Sequence, residues 1–243
     1  MSQIFHLTSE LKPQGDQPAA IEKIAASLEA GDGHHVLMGV TGSGKTFTMA
    51  NIIQRLNRPT LVIAPNKTLA GQLFTEFKTL FPNDAVGYFI SYYDYYQPEA
   101  YLPSTDTYIA KDSAINEDID KMRHEATQSL FEKPNTIIVA SVSCIYGLGS
   151  PQSYSEQVVS INKADSISRD DFLRSLIDIQ YQRNDTTLIR GHFRVRGDTV
   201  DILPSHQKDE AIRVCFFGDE VDSISLIDAL TGHLIRKTDA ISI

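Results

Sequence analysis

The chain has 243 residues, of which 42% are hydrophobic, enough for one large or two small globular domains with their own cores. This length and composition exclude a peptide hormone, a fibrous repeat and a disordered tail. The 22 Lys and Arg residues against 31 Asp and Glu residues give a net charge of −9, so no general attraction to phosphate backbones is expected. Any contact with nucleic acid must be local.

In chain order, the first part of the sequence alternates between apolar strands and amphipathic helices. Helices are predicted at 17–30, 45–56, 67–81 and 117–131, and strands at 35–38, 60–64, 86–90 and 136–140. The strand at 60–64 is continuously apolar, as expected where both faces of a sheet are covered. Strands and helices that alternate in this way predict an α/β fold, with a parallel sheet and helices on both sides.

Residues 39–46 match the phosphate-loop pattern G-x-x-x-x-G-K-[ST] between a predicted strand and a predicted helix. The predicted ATP-binding residues are Gly39, Val40, Thr41, Gly42, Ser43, Gly44, Lys45 and Thr46. Lys45 should reach the β and γ phosphates, and the Thr46 hydroxyl should be a ligand of Mg²⁺. The alternative is a glycine-rich turn that binds nothing.

Two further patterns bear on a nucleotide site. Gln17 stands where superfamily 2 helicases carry a glutamine that donates to and accepts from the adenine edge, although a surface glutamine at a helix start is the alternative. A nucleotide motor also needs a carboxylate for its metal ion. Asp219 and Glu220 follow an apolar run, but a glycine interrupts it, and a turn between two strands is favoured.

Residues 91–114 are too long and too aromatic for an ordinary connection. Seven of the ten tyrosines lie between residues 88 and 108. They could belong to a core, but a run with rings on both faces of one extended strand leaves at least one face exposed. Exposed aromatics suit stacking on bases. The segment is therefore predicted to be an aromatic β-hairpin at about 91–114 that contacts DNA.

A domain boundary is predicted at Gly147, Gly149 and Pro151, which divides the chain into domains 1–150 and 151–243. The second domain is predicted to be a smaller α+β domain. Its predicted elements are a strand at 158–161, a helix capped by Ser168 with Phe172, Leu173, Leu176 and Ile177 inward, strands at 188–195, 199–203, 212–217 and 221–226, and a turn at 231–232.

The two cysteines, Cys144 and Cys215, lie far apart in apolar surroundings, which is typical of buried thiols in a reducing compartment. The first residues carry no secretory signal, and no run of about 18 apolar residues is present. A cytoplasmic protein with no membrane contact is expected.

Four segments together resemble the family of the bacterial excinuclease B subunit, UvrB, which verifies damage in nucleotide excision repair. They read GVTGSGKTFTMANII, TLVIAPNKTLAGQL, SYYDYYQPEAYLPSTDTYI and IIVASVSCIYGLGSP. The resemblance covers essentially the whole chain and implies a RecA-like motor domain with DNA-stimulated ATPase activity, whose inserted hairpin clamps one DNA strand. It places lesion-probing side chains at the hairpin base, Tyr92, Tyr93, Tyr95 and Tyr96, and further aromatic positions toward its tip, Tyr101 and Tyr108.

The resemblance also implies that residues 151–243 dock on the A subunit, UvrA. Arg183, Arg194 and Arg196 would then meet acidic groups of that partner. On an alternating strand His192, Arg194 and Arg196 share one face, opposite Phe193 and Val195. The alternative is a merely solvated row of basic side chains.

Members of this family are much longer, and their second motor domain and their contact with the C subunit, UvrC, are not matched here. A fragment that binds UvrA but turns over ATP poorly is therefore expected. Two other hypotheses stay open: an adaptor for UvrA without ATPase activity, and a generic superfamily 2 helicase. The second is disfavoured because generic members lack the Tyr-Tyr-Asp-Tyr-Tyr segment.

Overall fold

The structure, a computed structural model, describes residues 3–97, 100–103, 105–109, 112–146, 150 and 158–243. The chain forms two compact units, one within residues 1–146 and the other within residues 147–243. Gly147, Gly149 and Pro151, on which the predicted boundary rests, lie outside the described residues. The division into domains 1–150 and 151–243 therefore stays a prediction.

The first unit is built on a parallel sheet in which β7 (Thr136–Ala140) lies between β1 (Thr60–Ile63) and β2 (Ala85–Phe89). Its helices are α1 (Gln17–Glu29), α2 (Lys45–Leu56), α3 (Lys67–Leu80) and α4 (Glu117–Glu132). Its strands are β1 (Thr60–Ile63), β2 (Ala85–Phe89), β3 (Tyr93–Gln97), β4 (Ala100–Leu102), β5 (Thr107–Ile109), β6 (Asp112–Ile115) and β7 (Thr136–Ala140). The predicted α/β class with a parallel sheet is confirmed.

The central strand β7 is buried along its whole length, because it packs on both faces. Ile137 and Val139 lie in a core with residues of α2 and α3, and Ile138 packs with Ala126 of α4 in a second cluster. A Cβ on Gly87 of β2 would lie 2.6 Å from Ile138 Cδ1 and 2.9 Å from Ala126 Cβ. Glycine at this position lets α4 approach the sheet closely.

Two strand predictions are wrong in detail. Residues 35–38 form no strand, and Val36 and Met38 are exposed. An apolar run becomes a strand only when a neighbour satisfies its N–H and C=O groups, and no described strand pairs with this segment. β1 is an edge strand in the described sheet, and its Leu61 and Ile63 are 54% and 56% exposed. The expected cover on both faces of β1 is therefore absent from the described structure.

The predicted hairpin is present between β2 and α4. β3 pairs with β6 and β4 pairs with β5, both antiparallel, and Tyr101 lies opposite Tyr108 in the second pair. At the base, the backbone N–H of Asn116 donates to the Tyr92 carbonyl at 2.8 Å. The Asn116 side chain also caps α4 by accepting from Ile119 N at 3.0 Å. The residue that closes the hairpin thus also begins the next helix.

The described part of the second unit contains the helix α5 (Arg169–Asp178) and the strands β8 (Ser160–Asn162), β9 (Gln182–Arg183), β10 (His192–Arg196), β11 (Thr199–Leu203), β12 (Glu210–Phe217), β13 (Glu220–Asp228), β14 (Leu234–Thr238) and β15 (Ala240–Ser242). Six of these strands form a sheet with the order β14-β13-β12-β11-β10-β9. The strands are antiparallel except for the parallel pair β9 and β10, and β15 pairs with β8. The α+β prediction is confirmed.

α5 covers one face of this sheet. Phe172 and Leu176 are fully buried in the same core as Phe193, as predicted, and Ser168 caps the helix. Ile177, which was predicted to face inward, is exposed. The strand expected from residue 188 begins only at His192.

The chain turns at Gly191, which has a φ of +71°, just before β10 begins. Asp219 and Glu220 lie at the turn between β12 and β13, as predicted. Cys144 and Cys215 are free, and both are partly exposed rather than fully buried.

Candidate nucleotide and nucleic-acid sites

The phosphate loop has the backbone that an anion cradle needs. Gly42 and Gly44 have φ values of +80° and +76°, the left-handed region that glycine adopts without strain. A Cβ on Gly39 would lie 2.5 Å from Ser43 Oγ, so a side chain there would displace the Ser43 hydroxyl. α2 begins directly after the loop, at Lys45, and a helix N-terminus favours a bound anion. The loop residues therefore fit a phosphate group.

The Lys45 ammonium lies across the loop. Its Nζ donates to the carbonyl oxygens of Gly39 at 2.8 Å and Val40 at 2.9 Å. A phosphate oxygen is a stronger acceptor than either carbonyl because it carries charge. Thr46 follows in the first turn of α2 and is half-buried. Lys45, which is predicted to bind phosphate, and Thr46, which is predicted to bind the metal ion, therefore both lie at the N-terminal end of α2.

Gln17, the first residue of α1, reaches the same loop. Its Nε2 donates to Ser43 O at 2.8 Å, and its Oε1 accepts from Gln14 N at 3.1 Å. The amide predicted to bind adenine is therefore engaged with the phosphate loop. Sequence reasoning brought Gln17 to the site but did not predict this contact.

Arg55 joins α1 to α2, and no pattern in the sequence pointed to this contact. Its guanidinium pairs with Glu22, with Nη2 at 3.0 Å from Oε1, and more loosely with Glu29 at 3.6 Å. The hydrogen bond from Arg55 lowers the pKa of Glu22, and the same bond raises the pKa of Arg55. These exposed pairs hold the helix of Gln17 beside the helix of Lys45.

The base of the hairpin is organised around Arg123 of α4. Its guanidinium lies 3.9 Å from the ring centroid of Phe89 and 5.1 Å from that of Tyr92, within the range of cation–π attraction. Its Nη1 donates to the Ile90 carbonyl at 2.6 Å. Partial burial lowers the pKa of Arg123. One cation thus holds the segment from which the hairpin rises, and no sequence motif pointed to it.

Two tyrosine rings contact each other in a tilted arrangement at this base. The rings of Tyr92 and Tyr93 lie 4.5 Å apart with an interplanar angle of 33°. The Tyr92 hydroxyl donates to the Tyr93 hydroxyl at 3.5 Å, and this contact raises the pKa of Tyr92. Lys67 Nζ donates to the Tyr93 carbonyl at 2.6 Å. α3, which begins at Lys67, is therefore tied directly to the hairpin.

The outer pair of tyrosines is exposed. Tyr101 and Tyr108 are 56% and 65% accessible, and the Tyr101 hydroxyl donates to Asp106 Oδ1 at 2.7 Å. This hydrogen bond raises the pKa of Tyr101. The side chains of Tyr95 and Tyr96 lie outside the described part of the structure, so their positions relative to a bound strand stay predictions.

In the second unit, Arg194 is not the freely solvated side chain that the alternating pattern suggested. Its side chain is only 13% exposed, and its Nε donates to Asp201 at 2.9 Å. Arg213 donates to the same carboxylate at 2.6 and 2.9 Å. Burial acts to raise the pKa of Asp201, but the two arginines outweigh it, and the pKa lies below its ordinary value. The three side chains come from three adjacent strands.

The other two predicted docking arginines are exposed. Arg183 pairs with Asp185, with Nη2 at 2.8 Å from Oδ2, and Asp185 also accepts from Val195 N at 2.9 Å. The bond from Arg183, followed by that backbone amide, lowers the pKa of Asp185. Arg196 lies at the end of β10. The structure therefore presents Arg183 and Arg196 to solvent and holds Arg194 in the network with Asp201.

No three His, Cys, Asp or Glu side chains in the described ranges come together as a metal site. No helix in that part of the chain has the length and apolar character needed to cross a membrane.

Two protein families match the chain. Residues 10–169 match the family described as type III restriction enzyme, res subunit. Residues 159–243 match the UvrB interaction domain. The first match covers the phosphate loop and the hairpin, and the second covers the sheet that carries the arginines.

Curated relatives match over the whole chain. UvrABC system protein B of Halalkalibacterium halodurans is 60% identical over 243 residues, which are 100% of this chain and 37% of that protein. The Bacillus subtilis protein of the same name is 57% identical with the same shares. The Enterococcus faecalis protein is 57% identical over 242 residues, with 100% of this chain and 36% of that protein covered. The chain thus spans little more than a third of the length of these relatives.

Proposed function

The chain belongs to the type III restriction enzyme res subunit family and to the UvrB proteins, and on this premise we propose that it acts in recognising and verifying damaged DNA during nucleotide excision repair in the cytoplasm. The observation that carries the proposal is the aromatic hairpin, which lies in the same compact unit as a well-formed phosphate loop. The tyrosines of the hairpin can stack on the bases of a DNA strand. The phosphate loop can bind a nucleotide whose hydrolysis would drive the verification of that strand.

ATP and Mg²⁺ are proposed to bind at the loop. Lys45 would exchange the Gly39 and Val40 carbonyls for oxygens of the β and γ phosphates, and Thr46 would supply a hydroxyl ligand to the metal. Backbone N–H groups of residues 39–44 would surround the phosphates. Bound Mg–ATP would supply the free energy of hydrolysis, and the role of the chain is to bind and orient it.

One DNA strand is proposed to run beneath the hairpin. The tilted pair Tyr92 and Tyr93, contacted by Arg123 and Lys67, forms an aromatic surface at the base. Tyr95, Tyr96, Tyr101 and Tyr108 are proposed to extend the contact toward the tip. A strand with a bulky adduct would not pass a narrow gap, so damage would be detected by shape rather than by a pocket for one lesion.

The second unit is proposed to dock on UvrA, which loads the protein on DNA, before the DNA complex is handed on to UvrC. The match of residues 159–243 to the UvrB interaction domain supports this partner. Arg183 and Arg196 would make the first contacts because they are exposed. Arg194 would contribute mainly through the net positive charge of the group that it forms with Arg213 and Asp201, because its own donors are engaged with the Asp201 carboxylate.

The test of the hairpin is Tyr93→Ala, matched by Tyr146→Ala, an exposed tyrosine outside the hairpin. Loss of a stacked ring should cost about 1–3 kcal/mol per base, so preference for a damaged over an intact duplex should fall at least about fivefold. Binding of both duplexes is measured by fluorescence anisotropy. Undiminished discrimination by Tyr93→Ala, or an equal loss in Tyr146→Ala, would contradict the proposal.

A second candidate function is that of a UvrA-binding adaptor without ATPase activity. It is favoured by the separate core of the second unit, built around Phe172, Leu176 and Phe193. ATP turnover by the 243-residue chain with DNA separates the two. Turnover that Lys45→Ala abolishes supports the motor, whereas retained capture of UvrA with no turnover supports the adaptor.

A further inference from the structure

We propose that Gln17 is a positioning residue for the phosphate loop, acting independently of adenine. Its amide fixes the orientation of the peptide between Ser43 and Gly44 before any nucleotide is bound. The inference rests on the proposed binding of ATP at this loop and assigns Gln17 a task that a base contact does not require.

The peptide group itself explains how one side-chain amide orients the loop. In a trans peptide the carbonyl and the following N–H point in opposite directions. Ser43 O accepts from Gln17 Nε2 at 2.8 Å, so the Gly44 N–H is directed away from Gln17. A rotation of this peptide would turn the Ser43 carbonyl the other way, and a carbonyl oxygen repels phosphate. The bond to Gln17 therefore stabilises the orientation that suits an anion.

The loop needs such a restraint because of its glycines. Gly42 and Gly44 both lie in the left-handed region, and glycine exchanges between backbone conformations at little cost. A Cβ on Gly44 would lie 2.4 Å from Gln17 Nε2. The amide thus sits directly against the most adaptable point of the loop, where a larger residue would displace it.

The Gln17 amide is itself held in place. Its Oε1 accepts from the backbone N–H of Gln14 at 3.1 Å, which leaves Nε2 pointing at Ser43. A side-chain amide has two donor hydrogens and two acceptor lone pairs. One of each is used within the chain, and one of each remains for adenine. The contact with the loop and a contact with the base are therefore compatible.

A ligand without a base separates the two tasks. Binding of Mg–tripolyphosphate and Mg–ATP to the full chain is measured by titration calorimetry for wild type and Gln17→Met, which keeps the side-chain length but lacks the donor. Gln72→Met is the matched control, because Gln72 is exposed on α3 and its side-chain amide donates to Glu76. Loss of one hydrogen bond should weaken tripolyphosphate binding about three- to tenfold in Gln17→Met and leave it unchanged in the control.

Gln17→Glu provides a second variant in which the acceptor stays and the donor is lost, and it should weaken tripolyphosphate binding at least as much. Unchanged tripolyphosphate affinity with weakened ATP affinity would overturn the inference and leave the proposed function standing. A fall matched by a lower thermal midpoint of the ligand-free chain would also overturn it, because Gln17 would then act on folding. Failure of wild type to bind either ligand would overturn the inference together with the proposed nucleotide site.

Discussion

The phosphate loop of the first unit and the arginine face of the second, which consists of Arg194 and Arg213 around Asp201, hold their functional atoms in different ways. In the loop, the important groups are backbone atoms, shaped by the left-handed Gly42 and Gly44 and oriented by one amide. On the arginine face, they are side chains from three strands joined through a single carboxylate, Asp201. Backbone sites are encoded in a few consecutive residues, whereas side-chain sites depend on which strands become neighbours.

The largest effect is expected in the loop. Lys45→Ala removes the cation that would meet the developing charge on the phosphates, so DNA-stimulated ATP turnover by the intact protein should fall about 10²- to 10³-fold. Lys23→Ala, on the exposed side of α1, serves as the control and should behave like wild type. Turnover that survives Lys45→Ala would show that the loop is not the ATP site.

The next effect is expected on the arginine face. Asp201→Asn leaves Arg194 and Arg213 close together without their shared carboxylate, so the free energy of unfolding of the second unit should fall by roughly 2–3 kcal/mol. Arg213 is partly exposed, which places the cost below that of a fully buried pair. Urea denaturation followed by circular dichroism measures it. Asp185→Asn removes the charge of an exposed carboxylate paired with Arg183 but keeps an oxygen that can accept from Val195 N, so it should cost clearly less stability than Asp201→Asn.

The same variant has a pH signature. The pKa of Asp201 is lowered in the folded chain, so its contribution to stability is present above the ordinary pKa of an aspartate, about 4. It is lost as the pH falls through the folded value. The stability difference between wild type and Asp201→Asn should therefore be largest near pH 7 and shrink below about pH 4. A constant difference down to pH 3 would contradict the assignment of the buried charge to Asp201.

A smaller effect is expected at the hairpin base, where the side chain of Arg123 binds both a backbone carbonyl and aromatic side chains. Arg123→Ala removes a charged hydrogen bond to the Ile90 carbonyl and two ring contacts, and should lower the free energy of unfolding of the first unit by about 1–2 kcal/mol. Arg123→Lys keeps the charge and should recover only part of the loss. Lys121→Ala on the same helix is the control, and stability equal to that control would contradict the assigned role.

The smallest effect is expected for one exposed charge. Arg196→Glu should slow association with UvrA about tenfold at low salt and less at high salt, because rim charges act mainly on the encounter rate. Arg174→Glu, exposed on α5, is the matched control in surface plasmon resonance. Equal association rates for the two variants would remove Arg196 from the docking surface.

Most elements of the fold could be predicted from the sequence, because their signals are local. α2 and β7 have the predicted bounds, and Asn66, a residue type that favours helix starts, caps α3 by accepting from Leu69 N at 2.9 Å. The absence of a strand at 35–38 and the exposure of Leu61 could not be predicted, because both depend on whether a neighbour lies across the sheet. Apolar character indicates that a residue is more stable when it is buried, but it does not show which element of the fold will bury it.

The candidate sites divide in the same way. The residues of the loop and the tyrosines of the hairpin are recognisable in the sequence, because each set is nearly contiguous. Arg123 and Lys67 were missed, since each acts on a tyrosine more than twenty residues away. Asp201 was missed because an aspartate within a strand gives no sign of the arginines on the strands beside it.

The sequence by itself determined the parallel α/β unit, the phosphate loop, the tyrosine hairpin and the α+β character of the second unit, since hydrophobic periodicity, glycine and capping residues act within a few positions of the chain. Only the tertiary structure decided which side chains fix those features: Gln17 on the loop, Arg123 under the hairpin and Asp201 between two arginines. Hydrogen bonds and ion pairs act over about 3 Å, and distances of that size between residues far apart in sequence are set by how the elements pack.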